Sequence, residues 1–137
     1  MNIKNLLLSY LLTFVAFLAI DMLWLGVIAK GLYQKYLGAF LTDKVIWAAA
    51  LIFYALFIIG IFIFSIYPAM QKSSFTHALL MGALFGFFTY ATYDLTNLAT
   101  MKDWPLPIVF IDILWGTLLT ALVSTIGFFI AKWINGL

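Results

Sequence analysis

Polar residues punctuate this chain rather than pattern it. Four continuous apolar runs, at 6–29, 45–67, 75–99 and 106–131, are separated by short polar breaks. Each run is about 23–26 residues long, and about 20 suffice to cross the hydrocarbon core of a membrane as a helix. Strands do not fit, because the runs do not alternate and an open sheet edge leaves backbone groups unpaired in lipid. The breaks carry helix signals. Pro68 is expected to end the second run, and Ser73 and Ser74 to cap the third. Asp103 or Trp104 is expected to cap the fourth, with Pro105 early in the helix where its missing N–H costs least. Trp104, Tyr67, Trp133 and Tyr33 fall near run ends, where amphipathic rings prefer the membrane interface.

The one long connection reads KGLYQKYLGAFLTDK. Leu32, Tyr33, Tyr36, Leu37, Phe40 and Leu41 recur in it at three- and four-residue steps. That spacing predicts an amphipathic helix over 31–43 lying in the interface; the alternative is a loop with incidental apolar residues. The expected fold is therefore all-α: a four-transmembrane-helix bundle, one integral membrane domain over 1–137, with a short interfacial helix between spans 1 and 2. Span 2 carries no charge and is rich in Phe and Ile, so it is expected to face lipid most, with Tyr54 its candidate partner for polar groups elsewhere.

Composition removes other classes. The chain is 66% apolar and 9% charged, with mean hydropathy +1.15; a soluble domain is roughly a quarter charged. The net charge of +2 is small and the lysines are scattered, which argues against nucleic acid. Every base is Lys and every acid is Asp, so there is no Arg to clamp a phosphate or carboxylate. No Cys is present, which excludes disulfides and thiolate chemistry. Lys4, Lys72 and Lys132 fall on one side of the membrane, and Lys30, Lys35, Lys44 and Lys102 on the other, too even a division to orient the termini. The first run imitates a signal peptide, yet no small-x-small cleavage site follows it, so it is expected to stay as a span.

Asp43 and Asp103 fall in the breaks, but Asp21, Asp94 and Asp112 lie inside the runs. A buried acid near the bilayer centre costs about 2.5–3.5 kcal/mol on insertion scales, so these three are expected to face the bundle interior and share partners. At 1.5 Å rise per residue, Asp21 is about 12 Å from the end of span 1, Asp94 about 8 Å from the end of span 3, and Asp112 about 9 Å from the start of span 4. Spans 1 and 3 end on the face where span 4 begins. All three acids therefore fall at similar depth in one leaflet.

Helical spacing adds neighbours. Asp21 and Trp24 belong to IDMLW, Asp112 and Trp115 to IDILW, and each Trp is three residues from its acid with an indole N–H to offer. Asn97 and Tyr90 share a face with Asp94, which Tyr93 precedes. Gly82 and Gly86 continue the Tyr90 face, and Asp112, Gly116, Thr120 and Ser124 form a four-step stripe; small residues so spaced let helices approach closely. The plainer readings are packing glycines, Trp core fillers and acids that act only as structural glue. Carboxylates gathered at low dielectric cannot all ionise. His77 is about 25 Å along the helix from Asp94, so no metal site or triad is expected. No dinucleotide or phosphate loop is present, and no cofactor is expected.

The segments IDMLWLG, AKGLYQKYLG, GALFGFFTYATYDLTNLATMKDWPLP and DILWGT together resemble the small bacterial membrane proteins grouped as domain of unknown function 2177. The resemblance implies an integral four-helix protein of the bacterial inner membrane, with Asp21, Trp24, Tyr93, Asp94, Asn97 and Asp112 in its most recognisable segments. It implies no activity.

The sequence favours a binding or transport protein. Asp21, Asp94, Asp112, Trp24, Trp115, Asn97, Tyr90 and Tyr93 would hold a cation, a proton or a small amine or amphiphile, with aromatic walls adding cation–π attraction. Membrane lipid is an expected partner, and transport favours a homodimer, for which the Gly82–Gly86 face is a candidate. The alternatives are a membrane enzyme using paired carboxylates on a lipid or isoprenoid, which no accompanying nucleophile, metal site or cofactor motif supports, and a structural or accessory subunit.

Overall fold

Four helices long and apolar enough to span a membrane form the computed structural model, which describes residues 1–136. They are α1 (Ile3–Ile28), α3 (Trp47–Gln71), α4 (Phe75–Thr100) and α5 (Leu106–Asn135), with the short α2 (Lys30–Leu37) between the first two. No strand occurs among the described residues. Asn2 caps α1, its side chain accepting from the Asn5 N–H at 2.8 Å. Ser74 caps α4 as expected, accepting from the His77 N–H at 3.2 Å.

The closest helix contact is between α4 and α5, and small residues make it. A Cβ on Gly86 would run into the Gly116 carbonyl and the Thr120 side chain, and one on Gly82 into Ser124. The Gly82–Gly86 face is thus consumed inside the chain and is not free to form a homodimer. The end of α5 returns to the start of α1, where the Asn5 side chain donates to Asn135 at 3.3 Å. Phe17 of α1, Phe57, Ile58, Ile61, Phe62 and Ile66 of α3, and Leu119 and Val123 of α5 form the main core.

Span 2 does not face lipid most. Within its most apolar window 33% of residues are buried, against 17% for span 1. Hydropathy misleads here because a core-facing and a lipid-facing residue are equally apolar, and the large side chains of α3 fill the bundle. Nor does Pro68 end α3, which continues to Gln71. Residues Phe62–Ile66 just before it widen into a π turn, with the Tyr67 N–H bonded to the Phe62 carbonyl. Such a turn shifts the backbone register where a proline would otherwise meet a carbonyl one turn back.

Neither Asp103 nor Trp104 caps α5. Pro105 takes that position with extended backbone, and Asp103 turns the chain at φ 58°. Trp104 is buried rather than spread at the interface. It packs with Leu37, Ile108 and Val109, and its ring lies against Phe40 and Tyr93. The amphipathic segment is helical only over α2. Leu37 is its buried residue, and Leu32, Tyr33 and Tyr36 lean on the same cluster at the start of α5. This packing aims Tyr33 into the bundle.

Candidate functional site

Two antiparallel copies of one motif build the site. Because α1 and α5 run in opposite directions, the Asp-to-Trp order of IDMLW is reversed in IDILW, which brings the acid of each motif level with the tryptophan of the other. The Trp115 indole N–H donates to Asp21 Oδ1 at 3.3 Å. The Trp24 indole N–H donates to the Tyr33 hydroxyl at 3.2 Å, and Tyr33 donates to Asp112 Oδ1 at 2.7 Å. The two indoles stack between the acids, centroids 4.3 Å apart and planes 10° from parallel. The pairing within each helix that three-residue spacing suggests is therefore replaced by a pairing across helices. Each carboxylate also holds one phenol: Tyr54 of α3 donates to Asp21 Oδ2 at 3.1 Å, as Tyr33 does to Asp112. Hydrogen bonds to a charged acceptor are among the stronger ones, at about 1.5–3 kcal/mol.

Asp21 and Asp112 face a cavity of about 430 Å³. Its remaining wall is mostly aromatic: Tyr33, Tyr54, Tyr90 and Tyr93, with Trp115, Phe53 and Phe57, and Thr89 adds one hydroxyl side chain. Between α3 and the middle of α4, Phe57 reaches across to Phe85 and Tyr90. Phe53 and Tyr93, on these two helices, are 51% and 56% exposed and flank a sideways opening. Phe53 lies about 9 Å along α3 from its start, inside the apolar span.

Burial, then the charge of Asp112, push the Tyr33 phenol well above its usual pKa, so it remains a donor across the physiological range. The end of α1 widens into a π turn over Trp24–Ile28, and Leu25 in that turn also lines the cavity.

The eight residues singled out in the sequence divide into three groups. Asp21, Tyr90, Tyr93, Asp112 and Trp115 line the cavity. Trp24 stands one layer back, stacked on Trp115. Asp94 and Asn97 are outside it: Asp94 is fully buried beside Asp112 and Trp104, and Asn97 sits beside Tyr93. A single pocket holding all three acids between tryptophan walls is thus not what forms, because Asp94 is rotated toward the α4–α5 contact. The cavity-lining residues missed are Leu25, Tyr33, Phe53, Phe57 and Thr89, and Tyr54 was named only as a possible partner. Tyr33 was legible only as an interface aromatic, although its place on the apolar face of α2 was a signal that it turns inward. His77 stays half-buried near the start of α4, far from the acids. Among the described residues no group of three or more His, Cys, Asp or Glu has metal-binding geometry.

The family described as "Predicted membrane protein", domain of unknown function 2177, matches residues 6–129 of this chain, and the chain belongs to that family. No curated protein and no solved structure matches it.

Proposed function

We propose that this integral multi-pass membrane protein binds a cationic amphiphile, such as an amine with an apolar body, drawn sideways from one leaflet between α3 and α4. The observation that carries the reading is the pair Asp21 and Asp112 in one largely aromatic cavity. A ligand with a positive head would neutralise the acids, and its body would lie on Tyr54, Phe57, Tyr90 and Trp115, whose faces attract cations by about 0.5–2 kcal/mol each. An opening within the apolar span suits a molecule already dissolved in lipid. On this reading the protein works in the bacterial cytoplasmic membrane, as the family resemblance implies, and it either sequesters its ligand or passes it across the bilayer.

The test is binding of benzyltrimethylammonium, a permanent cation with an aromatic body, to protein in lipid nanodiscs. The uncharged isostere neopentylbenzene is the control. Preference for the cation should fall at least about tenfold, or about 1.4 kcal/mol, in Asp21→Asn and in Asp112→Asn. Equal retention of cation and isostere by the native protein sinks the reading.

A further inference from the structure

Asp94 is the one acid within the spans that the cavity does not use. It is 0% exposed, and neither carboxylate oxygen has a hydrogen-bond partner. The Trp104 indole N–H beside it is also buried and unpartnered. The charged and titratable groups that face Asp94 are Asp112 from α5, Tyr33 from α2 and Tyr93 on its own helix; no lysine is among them. An ionised Asp94 would have a second carboxylate as its neighbour and the Trp104 indole N–H as its one nearby donor, which leaves most of its acceptor positions empty. A proton relieves both the repulsion and the empty positions. It cancels one charge and turns Asp94 into a donor toward Asp112, whose Oδ1 is already taken by Tyr33.

We propose that Asp94 and Asp112 share one proton, and that a cation arriving at Asp112 from the cavity displaces it. The exchange balances. One carboxyl O–H bond breaks, its electron pair stays on the carboxylate, the proton leaves to solvent, and the incoming positive charge replaces the lost one. Asp112 belongs to both sets, facing the cavity on one side and Asp94 on the other, so occupancy of the cavity and protonation of the pair are mutually exclusive. The protein then exchanges a proton for a cation within the membrane, with Asp94 as the positioning acid and Asp112 as the group that meets the ligand. The exchange rests on the cavity binding a cation; the shared proton does not.

Infrared spectroscopy of the protein in nanodiscs at neutral pH separates the two. The native protein should show the C=O stretch of a buried carboxylic acid. Asp94→Asn should lose that band, since it removes the buried carboxyl that no hydrogen bond satisfies. Asp112→Asn should keep the band and make it insensitive to ligand. Benzyltrimethylammonium should erase the native band and release about one proton per bound cation into weakly buffered medium, as for two coupled sites. Asp94→Asn should still bind the cation but release none. A native spectrum without the band overturns the shared proton, whatever binds. The band with binding but no proton release overturns the exchange and leaves the binding reading intact. The band without any cation binding overturns the exchange together with that reading. Equilibrium unfolding of each variant, followed by the emission of the five tryptophans, checks that it has folded.

Discussion

Replacing Tyr33 with Phe removes one hydroxyl that serves two partners. It donates to Asp112 at 2.7 Å and accepts from Trp24 at 3.2 Å. Loss of a donor to a carboxylate costs about 1.5–3 kcal/mol, and a stranded indole N–H about 1–3 kcal/mol. Two features reduce the sum. Asp112 faces the cavity, where water can replace the phenol, and polar pairs in membrane proteins average only about 0.6 kcal/mol because the unfolded chain also finds partners. The net expectation is a loss of about 1–2 kcal/mol, a factor of about 5–30 in the folded-to-unfolded ratio. Equilibrium unfolding in mixed micelles, followed by tryptophan emission, measures it. A double-mutant cycle assigns it: Tyr33→Phe with Asp112→Asn should be non-additive by about 1 kcal/mol. Tyr33→Phe with Tyr10→Phe, whose hydroxyl donates to the Ala55 carbonyl at 2.9 Å on the other side of α1, should add to within about 0.5 kcal/mol. A Tyr33→Phe protein as stable as the native one, or equal coupling to both partners, would refute the assignment of Tyr33 as the donor that holds Asp112.

Two further outcomes follow from the same geometry. The Tyr33 phenol is pushed above its unfolded value of about 10, so at alkaline pH the unfolded chain loses this proton first; stability should fall as pH rises past about 10, and the fall should be shallower in Tyr33→Phe. Gly86→Ala places a methyl against the Gly116 carbonyl and Thr120, forcing α4 and α5 apart. It should cost about 1–3 kcal/mol and weaken cation binding by moving Tyr90; unchanged unfolding and binding would show that the contact yields easily.

How much of this was legible in the sequence depends on the direction in space. Position along the membrane normal was readable, because rise per residue and alternating span direction put Asp21 and Asp112 at one level, and these two acids do meet in the cavity. Rotation about each helix axis was not. Asp94 has the same depth, but it turns toward α5 and is sealed behind Asp112. The apolar faces of α3 gave no rotational signal, since lipid and core select the same side chains, so span 2 was assigned to lipid although Phe57, Ile58 and Ile61 face the core. Tyr33 could not be placed because its role depends on how α2 leans on Leu37 and Trp104, a contact between segments far apart in sequence. Pro68 was read by a local rule that a π turn one step upstream cancels.

The crossed pairing of the two motifs has a consequence for how the protein is made. Trp115 donates to Asp21 across 94 positions, and Tyr33 to Asp112 across 79. Asp21 enters the bilayer with α1, yet one of its two donors, Trp115, arrives only with α5. A chain interrupted before Trp115 holds a carboxylate in hydrocarbon with an incomplete set of partners, so the site closes only once α5 has packed against α1.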